Sequence, residues 1–268
     1  MSRAPALVLA AHGTRSAAGE ATLAALARAV GRARPGRRVE LSYLEISSPP
    51  LAEVLPAVRG PVVVVPLLLA GGYHVHIDLP EVIAGHRPDA VVAGWLGPHR
   101  LLTGVLARRL AGAGLRDTDA VVLGAAGSSD PAALADVRAA ARLLAGRLAR
   151  PVTAAFASAG SPSLEEAVDR LGAGPAARVA IASYVLAPGF FHDRLAAAAT
   201  GPVSEPLGAD PDVAALVWHR YDQALRGAAP AQPVAGAAGT GPSRSSRTAS
   251  AALASREGQA SSPTNISM

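Results

Sequence analysis

Three residues that can bind a metal or accept a proton follow apolar runs in the first half of the 268-residue sequence. His12 follows ALVLAA, Glu45 follows VELSYL, and His74 follows PVVVVPLLLAGGY. Imidazole and carboxylate bind borderline divalent ions such as Fe²⁺, Co²⁺, Ni²⁺ or Zn²⁺, and imidazole also accepts protons near neutral pH. The three residues therefore predict one shared site, although each residue taken alone is more often simply hydrogen-bonded or exposed.

The pattern around these residues alternates between strand and helix. Buried strands are predicted at 6–11, 39–44, 62–69 and 90–96, and helices at about 18–33, 50–58, 79–85 and 99–111. Strands that are apolar throughout indicate a parallel sheet covered on both faces, in an α/β fold. The carboxyl ends of parallel strands share one edge of the sheet, where ligands bind. The three candidates should therefore meet at that edge.

The same order of segments returns in the second half. Gly13, Pro49 and Gly72 of the first half correspond to Gly127, Pro162 and Gly189, at offsets of 114, 113 and 117 residues. This self-similarity predicts two tandem similar lobes, over residues 1–113 and 114–226, each a parallel sheet flanked by helices. Residues 227–268 are rich in Pro, Gly and Ser, and we predict that they form a disordered tail.

The repeat does not keep the candidate ligands. The second half carries Ala126, Ser158 and Phe191 where the first half carries His12, Glu45 and His74. We therefore predict one metal site per chain, in the first lobe. The second lobe should act as a wall, with Phe190 or Phe191 available to pack against a ligand. His192 is one place out of register, and we expect it to cap a helix or to reach solvent.

Other residues near the site have simpler interpretations. His76 is not expected to bind the metal, because a helix is predicted to begin near it. Asp78 should be the N-cap of that helix, with Pro80 in its first turn. We interpret the remaining histidines as surface residues: His86, His99 and His219.

Composition excludes several classes of protein. There is no cysteine, so thiolate metal sites and disulfides are ruled out. The formal net charge is +5, but no aromatic residues interleave with a basic patch, so no nucleic-acid partner is expected. Neither a signal peptide nor a membrane span is indicated, which predicts a cytoplasmic protein. The segment AHGTRSAAG lacks the spacing of a phosphate-binding loop, and there is no GxSxG elbow.

Three motifs carry a resemblance to a known family. AHGTR, YLEISSPPLAEVL and PLLLAGGYHVHIDLP resemble the sirohydrochlorin chelatases, the class II chelatases of sirohaem and anaerobic cobalamin synthesis. The resemblance covers about residues 5–225 and is strongest in the first lobe. Thr14 stands where the family typically has Ser, and Leu79 where it has Ile, and both are mild departures.

The resemblance implies an ATP-independent lyase that inserts Fe²⁺ or Co²⁺ into sirohydrochlorin. It implies His12 and His74 as metal ligands, with Glu45 assisting. It also implies that no cofactor is permanently bound and that the divalent metal (Fe²⁺, Co²⁺ or Ni²⁺) is a substrate. Arg15 and Arg100 are candidates for binding the carboxylates of the tetrapyrrole. Since one chain would contain both lobes, a monomer suffices. Three alternatives remain: a non-catalytic metal or tetrapyrrole carrier, a metal-dependent hydrolase, and a regulatory protein with a degenerate site.

Overall fold

The computed structural model of the chain describes residues 4–72, 74–174 and 178–228, and for residues 74 and 75 only the backbone. The described residues belong to one compact unit. The last helix ends at Ala228, two residues inside the segment predicted as a tail, and the rest of that segment lies outside the described residues. None of the described helices is both long and apolar enough to cross a membrane.

The first sheet is parallel and has the strand order β2-β1-β3-β4. Its strands are β1 (Ala6–Ala11), β2 (Val39–Tyr43), β3 (Val62–Pro66) and β4 (Val91–Val92). Its helices are α1 (Ala17–Ala33), α2 (Leu51–Ala57), α3 (Leu79–His86) and α4 (Arg100–Gly112). A π-helical turn (His74–Asp78) precedes α3. The central strand β1 matches its predicted range, whereas β3 ends at Pro66 and β4 is shorter than predicted.

The second sheet is also parallel and has the order β6-β5-β7 among the described residues. Its strands are β5 (Ala120–Ala125), β6 (Val152–Phe156) and β7 (Val179–Ser183). The described helices that follow α4 along the chain are α5 (Pro131–Leu148), α6 (Leu164–Gly172), α7 (Phe190–Ala198) and α8 (Pro211–Ala228). The predicted α/β class, with two parallel sheets flanked by helices, is confirmed.

Local sequence signals fix where the helices begin. The hydroxyl of Ser16 accepts a hydrogen bond from Gly19 N–H at 3.2 Å and caps α1. The carboxylate of Asp130 caps α5, with Pro131 as the first helical residue. Both caps satisfy amides that have no partner inside the helix. Helix α1 therefore begins soon after β1, and helix α5 begins soon after β5, each after a short loop.

The two halves share backbone geometry at the predicted repeat positions. Tyr43 N–H donates to Pro49 C=O at 3.1 Å, and Phe156 N–H donates to Pro162 C=O at 3.2 Å. The glycine after the first strand of each half has a positive φ, which is the left-handed conformation that glycine adopts freely. These are Gly13, with φ +105°, and its counterpart Gly127 in the second half, with φ +101°.

The last helix of each half packs on the other half. Helix α4 contacts α5 and β7, and helix α8 contacts α1, β3 and β4. Trp218 of α8 donates from Nε1 to the carbonyl of Val30 in α1 at 2.9 Å. Arg34, just after α1, makes two bonds to the carboxylate of Asp222 in α8, at 2.7 and 2.6 Å. One hydrophobic cluster therefore draws residues from both sheets, and the lobe boundary near residue 113 stays a prediction.

Candidate metal site

His12 and Glu45 lie side by side at the carboxyl edge of the first sheet. The strands β1 and β2 are paired up to Ala11 and Tyr43, so the segments that follow them leave the sheet together. The pairing continues beyond the sheet, because Glu45 N–H donates to the carbonyl of His12 at 3.0 Å. His12 is half-buried and Glu45 is exposed. The structure thus brings these two predicted site residues together.

The close approach of these segments requires a glycine at position 13. A Cβ atom on Gly13 would lie 2.0 Å from the carbonyl oxygen of Glu45, well inside van der Waals contact. The hydroxyl of Ser47 then ties the two segments, accepting from Thr14 N–H and donating to Thr14 C=O, both at 3.0 Å. The glycine in AHGTR therefore allows the turn after β1 to pack directly against the turn after β2.

The segment after β3 reaches the same edge of the sheet. Ala10 of β1 pairs with Pro66 at the end of β3, and the chain then runs through Gly71 and Gly72 to the π-helical turn. His74 is the first residue of this turn, and its side chain lies outside the described part of the chain. The assignment of His74 as a ligand therefore stays a prediction. Among the described side chains, no group of three His, Cys, Asp or Glu residues is arranged to hold a metal ion.

His76 packs against Trp95 rather than standing alone. The two rings meet edge to face, with centroids 5.5 Å apart. The Nε2 atom of His76 also lies close to Gly71, 3.1 Å from where a Cβ would be. Asp78 occupies the N-cap position of α3, as predicted, and Pro80 lies in the first turn, but the Asp78 side chain makes no cap hydrogen bond.

Loops that follow strands of the second half lie next to the candidate metal site. Gly72 lies close to Ala133 and Ser128, and Gly189 lies close to Ser16 and Thr14. A large aromatic pair follows this contact at the start of α7, where Phe190 is 68% exposed and Phe191 is 37% exposed. Their rings stack edge to face at 5.3 Å. Loops from both halves therefore meet around the candidate site.

The second half has its own arrangement at the matching positions. Ser158, the counterpart of Glu45, donates from its hydroxyl to the carbonyl of Ala126, the counterpart of His12, at 2.6 Å. His192 does not cap a helix: it is half-buried in the first turn of α7, and its Nδ1 lies 2.8 Å from the buried hydroxyl of Ser183. Helix α7 is capped by Gly189 instead.

Both arginines predicted to bind the substrate are exposed. Arg15 lies in the turn after β1, three residues beyond His12, and Arg100 is the first residue of α4. Both guanidinium groups are accessible, and their contact with a ligand stays a prediction.

A family model and several solved structures are similar to this chain. The family described as CbiX has a model that matches residues 6–113 and again residues 120–224. The chain belongs to the CbiX family. No curated protein matches the chain.

Solved structures show the same fold as this CbiX-family chain. SirB from Bacillus subtilis, in a structure with Fe³⁺, is 24% identical with a TM-score of 0.69, over 84% of this chain and 96% of SirB. The sirohydrochlorin chelatase SirB from Bacillus subtilis subspecies spizizenii, in complex with cobalt, is 21% identical with a TM-score of 0.68, over 85% and 97%. CbiX, the terminal enzyme for biosynthesis of siroheme in denitrifying bacteria, is 21% identical with a TM-score of 0.61, over 82% and 99%.

Sequence reasoning missed one carboxylate at the site of this CbiX-family chain. Asp136 of α5, from the second half, accepts hydrogen bonds through Oδ2 from Gly71 N–H at 2.9 Å and from Trp95 Nε1 at 3.0 Å. Nearby, buried Tyr184 donates to the carbonyl of Leu69 at 3.1 Å. Burial, followed by the negative charge of Asp136, raises the pKa of Tyr184, so its hydroxyl remains a donor. Side chains of the second half therefore hold the loop that leads to His74.

Helix α4 of this family member begins at a histidine that was predicted to be a surface residue. His99 is half-buried, and its Nδ1 accepts from Leu101 N–H at 3.2 Å as the N-cap of α4. Burial, followed by the positive charge of Arg220, lowers the pKa of His99 and so favours the neutral ring, in which Nδ1 can accept this bond. His219 and His86 are exposed, as predicted. His99 is therefore a structural residue.

Two spaces among the described residues lie away from the candidate site. A groove of about 390 Å³ lies elsewhere, between α1 and β2, and is lined in part by Ala27, Arg28 and Leu41. A smaller space of about 80 Å³ lies near Gly36 and Gly60, at the opposite edge of the first sheet. Neither of these two spaces is lined by His12 or Glu45.

Proposed function

We propose that the chain is a sirohydrochlorin chelatase that inserts Fe²⁺ or Co²⁺ into the tetrapyrrole. Family membership supports this proposal, as do the activities named for the similar structures, one of which is a sirohydrochlorin chelatase with cobalt bound. The observation that carries the proposal is the direct main-chain bond between Glu45 and His12, at the edge of the sheet where the His74 segment also arrives. An imidazole, a carboxylate and a second imidazole would then border one space.

The residues fit what metallation requires. The incoming metal must exchange its water ligands for pyrrole nitrogens, and the ring must release two N–H protons. Neutral imidazoles of His12 and His74 would bind the ion through a limited number of bonds, so that it can be passed on. Glu45 is exposed and would accept a pyrrole proton and pass it to solvent. No nucleotide is needed in this scheme, in agreement with the ATP-independent reaction that we propose.

The surrounding surface suits a flat, acidic ligand. Arg15 and Arg100 are exposed and would pair with the peripheral carboxylates of sirohydrochlorin. Phe190 and Phe191 would pack against the face of the macrocycle from the second half. Since the second half has Ala126 and Ser158 where the first half has His12 and Glu45, each chain would bind one metal ion and one tetrapyrrole.

An anaerobic absorbance assay with sirohydrochlorin and Fe²⁺, Co²⁺ or Ni²⁺ in turn tests this function. The wild-type chain should metallate many equivalents of tetrapyrrole faster than the spontaneous reaction. His12→Ala and His74→Ala should each lower the rate by about 100-fold or more, the contribution typical of a well-placed acid or base. His76→Ala and the exposed His86→Ala are matched controls and should retain activity.

Two outcomes would contradict the proposal. Binding of metal or tetrapyrrole without multiple turnover would identify a carrier instead. An inactive His76→Ala beside an active His74→Ala would show that the ligand in the π-helical turn is misassigned. A titration with Co²⁺ should give one site per chain, and two equivalent sites would place metal binding in the second half as well.

A further inference from the structure

The turn between Glu45 and Ser47 has a strained backbone. Ser47 N–H donates to the carbonyl of Glu45 at 2.6 Å, which closes a three-residue turn with Ile46 at its centre. Ile46 has φ +66°. A γ-turn with a positive central φ is rare and strained, and a β-branched residue in that region is an outlier. Glycine or asparagine would adopt this conformation at lower cost.

Burial of the side chain does not explain why isoleucine stands here. Ile46 is 54% exposed, so the fold gains little from its apolar side chain. The matching loop of the second half places its positive φ on a glycine: the counterpart of Ile46 is Ala159, and the next residue, Gly160, has φ +132°. The architecture therefore does not require a β-branched residue in a left-handed conformation. Backbone strain that packing does not explain is concentrated at functional sites.

Ile46 belongs to a set of exposed apolar side chains around the candidate site. Large exposed apolar residues are few in the described part of the chain, and several of them follow the carboxyl ends of strands. Ile77 of the π-helical turn is 48% exposed, and Phe190 and Phe191 are exposed at the start of α7. Ile46 is the member of this set that directly adjoins Glu45. An apolar side chain there faces solvent unless a ligand covers it.

We propose that Ile46 is a substrate-contact residue that determines how the tetrapyrrole sits over the metal site. This inference rests on the proposed function. The strained turn holds the Ile46 side chain against the flat apolar face of the ring, next to Glu45 and the His12 turn. Contact with the ring would exclude water from the pyrrole nitrogens nearest to Glu45. The strain in the free protein would thus be retained because the apolar contact forms only when the ring is bound.

Three variants of the full chain test this inference through two independent readouts. Ile46→Gly and Ile46→Asn fit a positive φ, so the thermal midpoint should rise by about 1–3 °C. The same variants lack the apolar contact, so KM for sirohydrochlorin should rise by about fivefold to tenfold, the effect of losing part of one buried aliphatic side chain. Ile46→Leu should keep KM within about twofold and should not raise the midpoint. Leu143→Asn is a matched control, because Leu143 is 43% exposed on α5, and its KM should not change.

The outcomes separate this inference from the proposed function. A raised midpoint together with a raised KM in Ile46→Asn supports the inference, because a residue with a purely structural role would not raise stability and weaken substrate binding at the same time. An active wild-type enzyme with unchanged KM in Ile46→Gly and Ile46→Asn would overturn the inference alone. A lowered midpoint in both variants would also overturn it, because the turn would then not be strained. Failure of the wild-type chain to metallate sirohydrochlorin would overturn the proposed function and this inference with it.

Discussion

Replacing Asp136 by alanine should remove the hydrogen bonds through which the second half of the protein holds the loop before His74. One carboxylate oxygen of Asp136 accepts from Gly71 N–H and from the indole N–H of Trp95. Both donors belong to the first half, whereas Asp136 lies on α5. Without the carboxylate, both N–H groups lose their partner, and the loop before the π-helical turn loses its attachment to α5.

The size of the effect follows from these two bonds. A hydrogen bond to a charged group contributes about 1.5–3 kcal/mol when it is buried. Asp136 is only half-buried, so water would replace part of the loss, and we expect about 2 kcal/mol for the pair. In a protein of this size each kcal/mol corresponds to about 2–4 °C in Tm, so Asp136→Ala should melt about 4–8 °C lower. Asp136→Asn keeps an acceptor without the charge and should lose about half as much.

Thermal unfolding followed by circular dichroism measures this loss, and tryptophan fluorescence reports on Trp95. Asp117→Ala is the matched control, because Asp117 pairs with Arg150 through a fully exposed carboxylate and should shift Tm by about 1 °C or less. The chelation rate of Asp136→Ala should fall as well, since the His74 segment loses its support. If Asp136→Ala melts within about 1 °C of the wild type and keeps its fluorescence spectrum, the reasoning is refuted.

Lowering the pH should destabilise the protein through Asp119. Hydrogen bonds from Arg178 hold the pKa of this buried carboxyl below its usual range, so the stabilisation is complete at neutral pH and is lost as the pH falls below about 4. Asp119→Asn should therefore flatten the dependence of Tm on pH between about pH 5 and 3, and parallel Tm profiles for the variant and the wild type would contradict this. Arg34→Ala removes both bonds to Asp222 and should lower the free energy of unfolding by about 1 kcal/mol in urea titrations. An unchanged free energy of unfolding would show that this ion pair does not stabilise the fold. Deleting residues 231–268 should leave Tm and chelation unchanged, because that segment has few large apolar side chains to dock; a fall of several degrees would show that it packs on the fold.

The sequence predicted the strands well where burial on both faces leaves a continuous apolar run. The run ALVLAA is β1 over its whole length, because β1 pairs with a neighbour on each side. The segment 90–96 looked equally apolar, yet only Val91–Val92 pair with β3. Beyond Val92 the chain turns so that Trp95 reaches Asp136 and His76. An apolar run indicates that a segment is buried, not that it is a strand. The segment 90–96 is buried partly by side-chain contacts outside the sheet.

The candidate site was predictable in part. His12 and Glu45 could be placed together because both follow adjacent parallel strands. The role of Asp136 could not, since an aspartate in the middle of an amphipathic helix resembles any solvated residue. The strain at Ile46 depends on a backbone angle that composition and periodicity do not encode. The packing of α8 against the first half could not be predicted either, because the apolar face of an amphipathic helix can cover either sheet.

The exchange of α4 and α8 between the halves limits how the molecule can move. Separating the two sheets as rigid bodies would strip each terminal helix from the core that it covers, including Trp218 from the carbonyl of Val30. A wide hinge motion is therefore costly, and the halves should unfold in a single cooperative transition rather than one after the other. Motion is then expected in the strand-end loops, while the strands beneath them stay fixed. Under the proposed function, this stiff framework would hold a flat macrocycle in a bent shape during metallation.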